Sequence, residues 1–85
     1  MLDRRYVLGS VRMCARPDFW RFLAFETGTQ IASIPEAAAV LRRVLRIQSR
    51  GELASSERAA CEYRVLITRF NDHLRSVQRE RTKAN

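Results

Sequence analysis

Apolar positions are most regular in the last third of the chain. Ala60, Tyr63, Leu66, Ile67, Phe70, Leu74 and Val77 follow one another at spacings of three, three, one, three, four and three. At 100° per residue they fall on one side of a helix, so the pattern predicts a long amphipathic helix over 56–79. Arg64, Thr68, Asn71, Arg75 and Arg79 form a second stripe beside the apolar one, with Glu62, Arg69 and Asp72 further round.

The remaining chain divides into shorter helical segments. The first is predicted over 3–15, with Asp3 as its cap and Leu2, Tyr6, Val7, Met13 and Cys14 in one apolar arc. Leu8 and Val11 carry apolar surface well round that helix and leave only a narrow cationic line of Arg5, Arg12 and Arg16. A helix so patterned is either sandwiched or touches another chain.

The Arg16-Pro17 step ends the first helix and opens the second, 17–27, because the residue before proline avoids the helical region while proline suits a first helical turn. Phe19, Trp20, Phe22 and Phe25, four of the seven aromatics, lie here within seven residues and point in nearly every direction. Such a segment reads as a central buried helix. Its functional alternative is that Trp20 or Phe25 anchors a partner.

Gly28 is the predicted C-terminal cap. Ser33, Pro35 and Glu36 have the spacing of a capping box and start a third helix, 34–47, with Arg42, Arg43 and Arg46 away from its apolar half. Ser49 and Glu52 repeat the signal for a short helical turn near 50–54. The fold class expected is therefore all-α, a compact bundle of about four helices in a single domain, 1–80, followed by a frayed basic tail at 81–85.

Composition adds a partner class. Sixteen Lys plus Arg against nine acids give a formal charge of +7, and Lys83 is the only lysine. Arginine favours planar contacts with phosphate or carboxylate, which points to nucleic acid or an acidic protein surface; solvated arginines on a helix face would look the same. With 85 residues, only about 60–65% of the unfolded surface can be buried, so a homodimer is a further option.

Two cysteines, Cys14 and Cys61, are too few for a disulfide framework and read as reduced and semi-buried. The longest apolar run, Ala37 to Leu41, is far short of the roughly 20 residues that cross a bilayer. No membrane contact is expected, and the location read from these features is cytoplasmic.

Catalytic chemistry finds no foothold. A single histidine, His73, and two distant cysteines do not make a metal site, and the isolated glycines cradle no phosphate. Asp72 and His73 are adjacent on a helix and so diverge by about 100°. Neither an enzyme nor a cofactor is expected.

Binding remains. A helix-turn-helix reader touches bases with the start of its recognition helix, yet the third helix begins Ile-Pro-Glu-Ala-Ala-Ala and keeps its arginines at the other end. There they also complement the helix dipole. Sequence-independent contact with a nucleic-acid backbone stays open, through Arg42, Arg43, Arg46 and Arg50 together with Arg64, Arg75 and Arg79, should those arginines share a surface. Docking on another protein through Leu8, Val11, Trp20 and Phe25 is the reading ranked first.

The segments Phe19-Trp20-Arg21-Phe22-Leu23, Ile47-Gln48-Ser49-Arg50-Gly51-Glu52-Leu53, Ala59-Ala60 and Phe70 resemble small accessory proteins encoded by phages and prophages. That resemblance implies a host or phage complex as partner: a nucleic-acid-handling machine that is assisted, or a nuclease or defence complex that is inhibited. It carries over no catalytic residues.

Overall fold

The computed structural model describes residues 4–83 and, within them, the side chains of residues 4–79. The chain is all-α, with no strand among the described residues. Its elements are α1 (Arg5–Cys14), α2 (Pro17–Thr27), α3 (Ile34–Leu45), a 3-10 turn (Arg50–Ala54) and α4 (Glu57–Lys83).

Each junction has a local cause. Arg4 stands at the start of α1 without a side-chain cap; the expected cap Asp3, like Leu2 of the apolar arc, lies outside the described residues. Arg16 is extended, at φ −99° and ψ 118°, as Pro17 requires. Gly28 takes φ 70° and its N–H returns to the Ala24 carbonyl at 2.8 Å, the glycine cap that closes α2.

Ser33 accepts a hydrogen bond from the Glu36 N–H at 3.3 Å and donates to the Glu36 carboxylate at 3.0 Å. The full capping box forms at the 3-10 turn. Ser49 Oγ accepts from the Gly51 N–H, and Glu52 accepts from the Ser49 N–H at 3.0 Å.

The end of α3 departs from the pattern, which continues the helix to Ile47. Arg46 is left-handed at φ 55°, the one non-glycine residue with positive φ among those described. The Ile47 N–H returns to the Arg42 carbonyl at 2.9 Å and the Arg46 N–H to Arg43 at 3.2 Å, a Schellman closure without glycine. Its stabiliser comes from α4: the Arg58 guanidinium donates to the Leu45 carbonyl at 2.9 Å and to the Arg46 carbonyl at 3.0 Å. Two last-turn carbonyls thus find a cation distant in sequence.

Ser56 accepts from the Ala59 N–H and starts α4. That helix continues past Arg79 to Lys83, so the first part of the expected tail lies in its last turn, and 84–85 lie outside the described residues. At 1.5 Å per residue α4 is about 40 Å long and accounts for the elongated 47 × 24 × 18 Å shape.

The core lies between α2, α3 and α4. Phe19, Phe22 and Phe70 are at most 1% exposed, and their ring centres stand 5.1 to 6.1 Å apart. Leu23, Leu41, Leu45 and Leu53 complete it, each such side chain contributing about 1.5–3 kcal/mol of burial. The 3-10 turn packs on both α1 and α4, and α1 also packs on α2 and α3. Between α1 and α4 the backbones approach little, and the two helices meet through side chains.

Candidate interaction groove

The arginines do not form one cationic surface, although α3 and α4 are neighbours. Arg46 and Arg58 both pair with Glu62, at 2.8 and 2.9 Å, and hold its carboxyl below the usual range, the Arg46 hydrogen bond contributing most. Arg69 pairs with Glu26 of α2, and Arg75 with Asp72 at 3.3 Å. Arg43 donates to the Thr29 hydroxyl at 2.8 Å.

Arg42 and Arg50 are half-buried beside Cys14. Burial pushes that thiol up, and the Arg50 contact only partly offsets it. Arg64 lies on the other side of α4, against Tyr6. Arg79 is exposed on the last turns of α4.

The anchors predicted from apolar character are also dispersed. Trp20 is half-buried and donates its indole N–H to the Cys14 carbonyl at 2.7 Å, which makes it a brace between α1 and α2. Phe25 is 77% exposed, with its ring 5.9 Å from the His73 ring. Leu8 and Val11 are 61% and 45% exposed, and Leu8 borders a recess shared with the 3-10 turn. His73 is wedged between Phe22 and Phe25 rather than poised beside a nucleophile.

What the fold does bring together is the cationic line of α1 and the basic stripe of α4. Tyr6 and Tyr63 meet edge to face, with ring centres 5.8 Å apart, and hold the two helices at a distance. A groove of about 800 Å³ runs above them. Its floor is Tyr6, Gly9 and Met13 of α1 with Tyr63 and Ile67 of α4; Arg5, Arg12 and Arg16 stand on one wall and Arg64 and Thr68 on the other.

No Asp or Glu lines this groove. Arg16 is held by Asp18 in a bidentate pair at 2.7 and 3.0 Å and covers the Phe70 ring at 5.3 Å. Arg12 has no carboxylate partner among the described residues. Arg64 is held above its ordinary pKa, chiefly by its hydrogen bond with the Tyr6 side chain and then by Cys61. Burial pushes Tyr63 up to about 12, so the floor is neutral under a permanently cationic rim.

The pieces of this groove were readable separately. The Arg5, Arg12, Arg16 line and the Arg64 stripe belong to two wheels, and Gly9 reads from the sequence only as a weak point in the first helix. Met13 and Ile67 read as core residues, and the structure leaves them half-buried because the facing helix stands off. Only the pairing of α1 with α4 joins them, and no local signal encodes that.

The described residues bring no three of His, Cys, Asp and Glu together, and none of their helices is long and apolar enough to cross a membrane. Both cysteines are free; Cys14 is buried and Cys61 is exposed rather than semi-buried. In comparisons with known proteins, no family model, no curated protein and no solved structure matches this chain.

Proposed function

We propose that this chain is a non-enzymatic interaction protein that docks on a larger protein complex as an adaptor or inhibitor. The observation that carries the reading is the groove between α1 and α4, where apolar side chains open to solvent lie under arginines with no acid lining the site. A monomer gains nothing from leaving Met13 and Ile67 half-buried beside Arg12 and Arg64, neither of which has a carboxylate partner in an ion pair among the described residues; a partner that covers both gains from each.

The arginines outside the groove weigh against sequence-independent binding of a nucleic-acid backbone. A phosphate track needs several arginines on one line with their charge available. Here Arg46, Arg69 and Arg75 are already in ion pairs, and Arg64 stands on a different side of α4 from Arg46. The resemblance of the Phe19 to Leu23 and Ile47 to Leu53 segments to phage accessory proteins supplies the setting, a nucleic-acid-handling or defence complex.

The test is capture and retardation run side by side. Tagged protein, incubated with nuclease-treated lysate of the cells that encode it, is expected to retain a partner in stoichiometric amount at about 200 mM salt, while duplex and single-stranded probes migrate unretarded at about 50 mM. Retardation that collapses between those two salt concentrations, with no protein retained, would overturn the proposal in favour of backbone binding.

A further inference from the structure

We infer that the groove between α1 and α4 receives an acidic amphipathic helix, with Asp or Glu on both edges of its apolar stripe. The inference rests on the docking reading above and specifies its partner. Three observations carry it.

The first is shape. Tyr6, Gly9 and Met13 recur at three and four residues on α1, and Tyr63 and Ile67 at four on α4, so the floor is one helical stripe from each helix rather than a socket. The α1 lining from Arg5 to Met13 rises by about 12 Å, which two turns of a partner helix match. A helix lying along two others fits side chains at i, i+3, i+4 and i+7 into such grooves. A β-strand ligand would need a sheet edge for its backbone, and the described residues contain no strand.

The second is charge. Arg12 stands on one wall and Arg64 on the opposite one, with no Asp or Glu in the lining. An apolar ligand alone would leave both guanidinium groups partly desolvated beside it without a carboxylate, at a cost. Carboxylates on both flanks of the incoming stripe turn that cost into charge-assisted hydrogen bonds. Asp18 already occupies Arg16, so the acids are called for at the Arg12 and Arg64 positions.

The third is the floor itself. Gly9 adds no side chain there: a Cβ on it would stand 3.4 Å from the Tyr63 hydroxyl, at the near edge of ordinary contact. With Met13 beside it, this is an adaptable apolar surface suited to side chains rather than to phosphate groups.

The experiment is panning of a phage-displayed library of helical peptides, about four turns long with randomised surface positions, against the full chain. The expected consensus has apolar residues at i, i+3 or i+4, and i+7, with Asp or Glu on both sides. The enriched peptides should bind the double variant Arg12→Glu, Arg64→Glu at least about tenfold more weakly, bind Arg12→Lys, Arg64→Lys with a smaller loss, and bind Phe25→Ala unchanged. Circular dichroism on each variant confirms that the exposed substitutions leave the fold intact.

A neutral or basic consensus overturns the inference, as do undiminished affinity for the double Glu variant and displacement of the peptides by single-stranded or duplex nucleic acid. Loss of binding in Phe25→Ala alone moves the docking site to α2, so the interaction reading stands and the groove falls. Absence of any enriched peptide overturns the groove, and absence of a captured protein from lysate as well overturns the docking reading beneath it.

Discussion

The two long sides of α4 are built from the same residue types and end in opposite states. Toward α2 and α3, Leu66 and Phe70 are buried and each rim arginine has a carboxylate partner, Arg46 and Arg58 sharing Glu62 and Arg69 paired with Glu26. Toward α1, Ile67 is only half-buried, and the rim carries Arg12 and Arg64 with no acid lining the groove. An arginine on a helix face is therefore not informative by itself. The nearby carboxylate decides whether its charge is met within the monomer.

Paired truncations on the two sides give the largest effect. Phe70→Ala should cost about 3–5 kcal/mol, a cavity among Phe19 and Phe22, which is much of the stability a domain of this size possesses. Ile67→Ala, on the open side, should cost about 1 kcal/mol, since little of its contact is lost on truncation. Denaturant unfolding of both variants reads the difference. Equal losses would mean that the groove is closed in solution and that the contrast does not hold.

Alkaline pH probes the groove floor next. Tyr63 is pushed from an ordinary value of 10 up to about 12 by burial. Between those two values the unfolded chain loses the tyrosine proton while the folded chain keeps it, so stability is full below pH 10 and falls as pH rises toward 12. After allowance for screening the loss is on the order of 1–2 kcal/mol. Tyr63→Phe should abolish this alkaline component, and the late tyrosinate absorbance of the folded chain should disappear with it. A Tyr63 that ionises at its ordinary value would place water at the floor and widen the groove.

A smaller contrast lies in the arginines themselves. Arg58→Ala removes both donors to the end of α3 and should cost about 1 kcal/mol, given how exposed the guanidinium is. Arg64→Ala, whose guanidinium binds no helix carbonyl in the described contacts, should leave the melting temperature unchanged within error. Below the ordinary carboxylate range the Arg58 effect should shrink: Glu62 has a lowered pKa, so its contribution is present above that range and is lost as pH falls through the folded value.

What the sequence made legible follows from the range of the forces involved. Four helices and the 3-10 turn were readable because Pro17, Gly28, the Ser33 and Ser49 caps, and the apolar spacing of α4 act within a few residues. The stop at Arg46 was not, since its carbonyls are satisfied by Arg58, twelve residues on, and no glycine marks the place. Trp20 read as a possible anchor because an indole looks the same exposed or braced, and the Cys14 carbonyl that holds it belongs to another helix. The groove required two wheels to be placed side by side, and that placement is fixed by the core beneath them.

The smallest effect has the most diagnostic sign. Gly9 lies inside α1, where replacing glycine by alanine gains up to about 1 kcal/mol of helix propensity. The added Cβ would stand 3.4 Å from the Tyr63 hydroxyl, at the near edge of ordinary contact. Tyr63 is itself buried, at 5% exposure, but at that separation the added methyl needs no shift of the ring, so the propensity gain prevails. Gly9→Ala should therefore stabilise by about 0.5 kcal/mol, a rise of roughly 2–4 °C in Tm. Gly28→Ala, forced into φ 70°, should destabilise by about 1 kcal/mol and serves as the opposite control. A loss at Gly9 as large as that at Gly28 would show that α1 and α4 are already in tight register there, with Tyr63 locked against the helix and no room along the floor for a third helix.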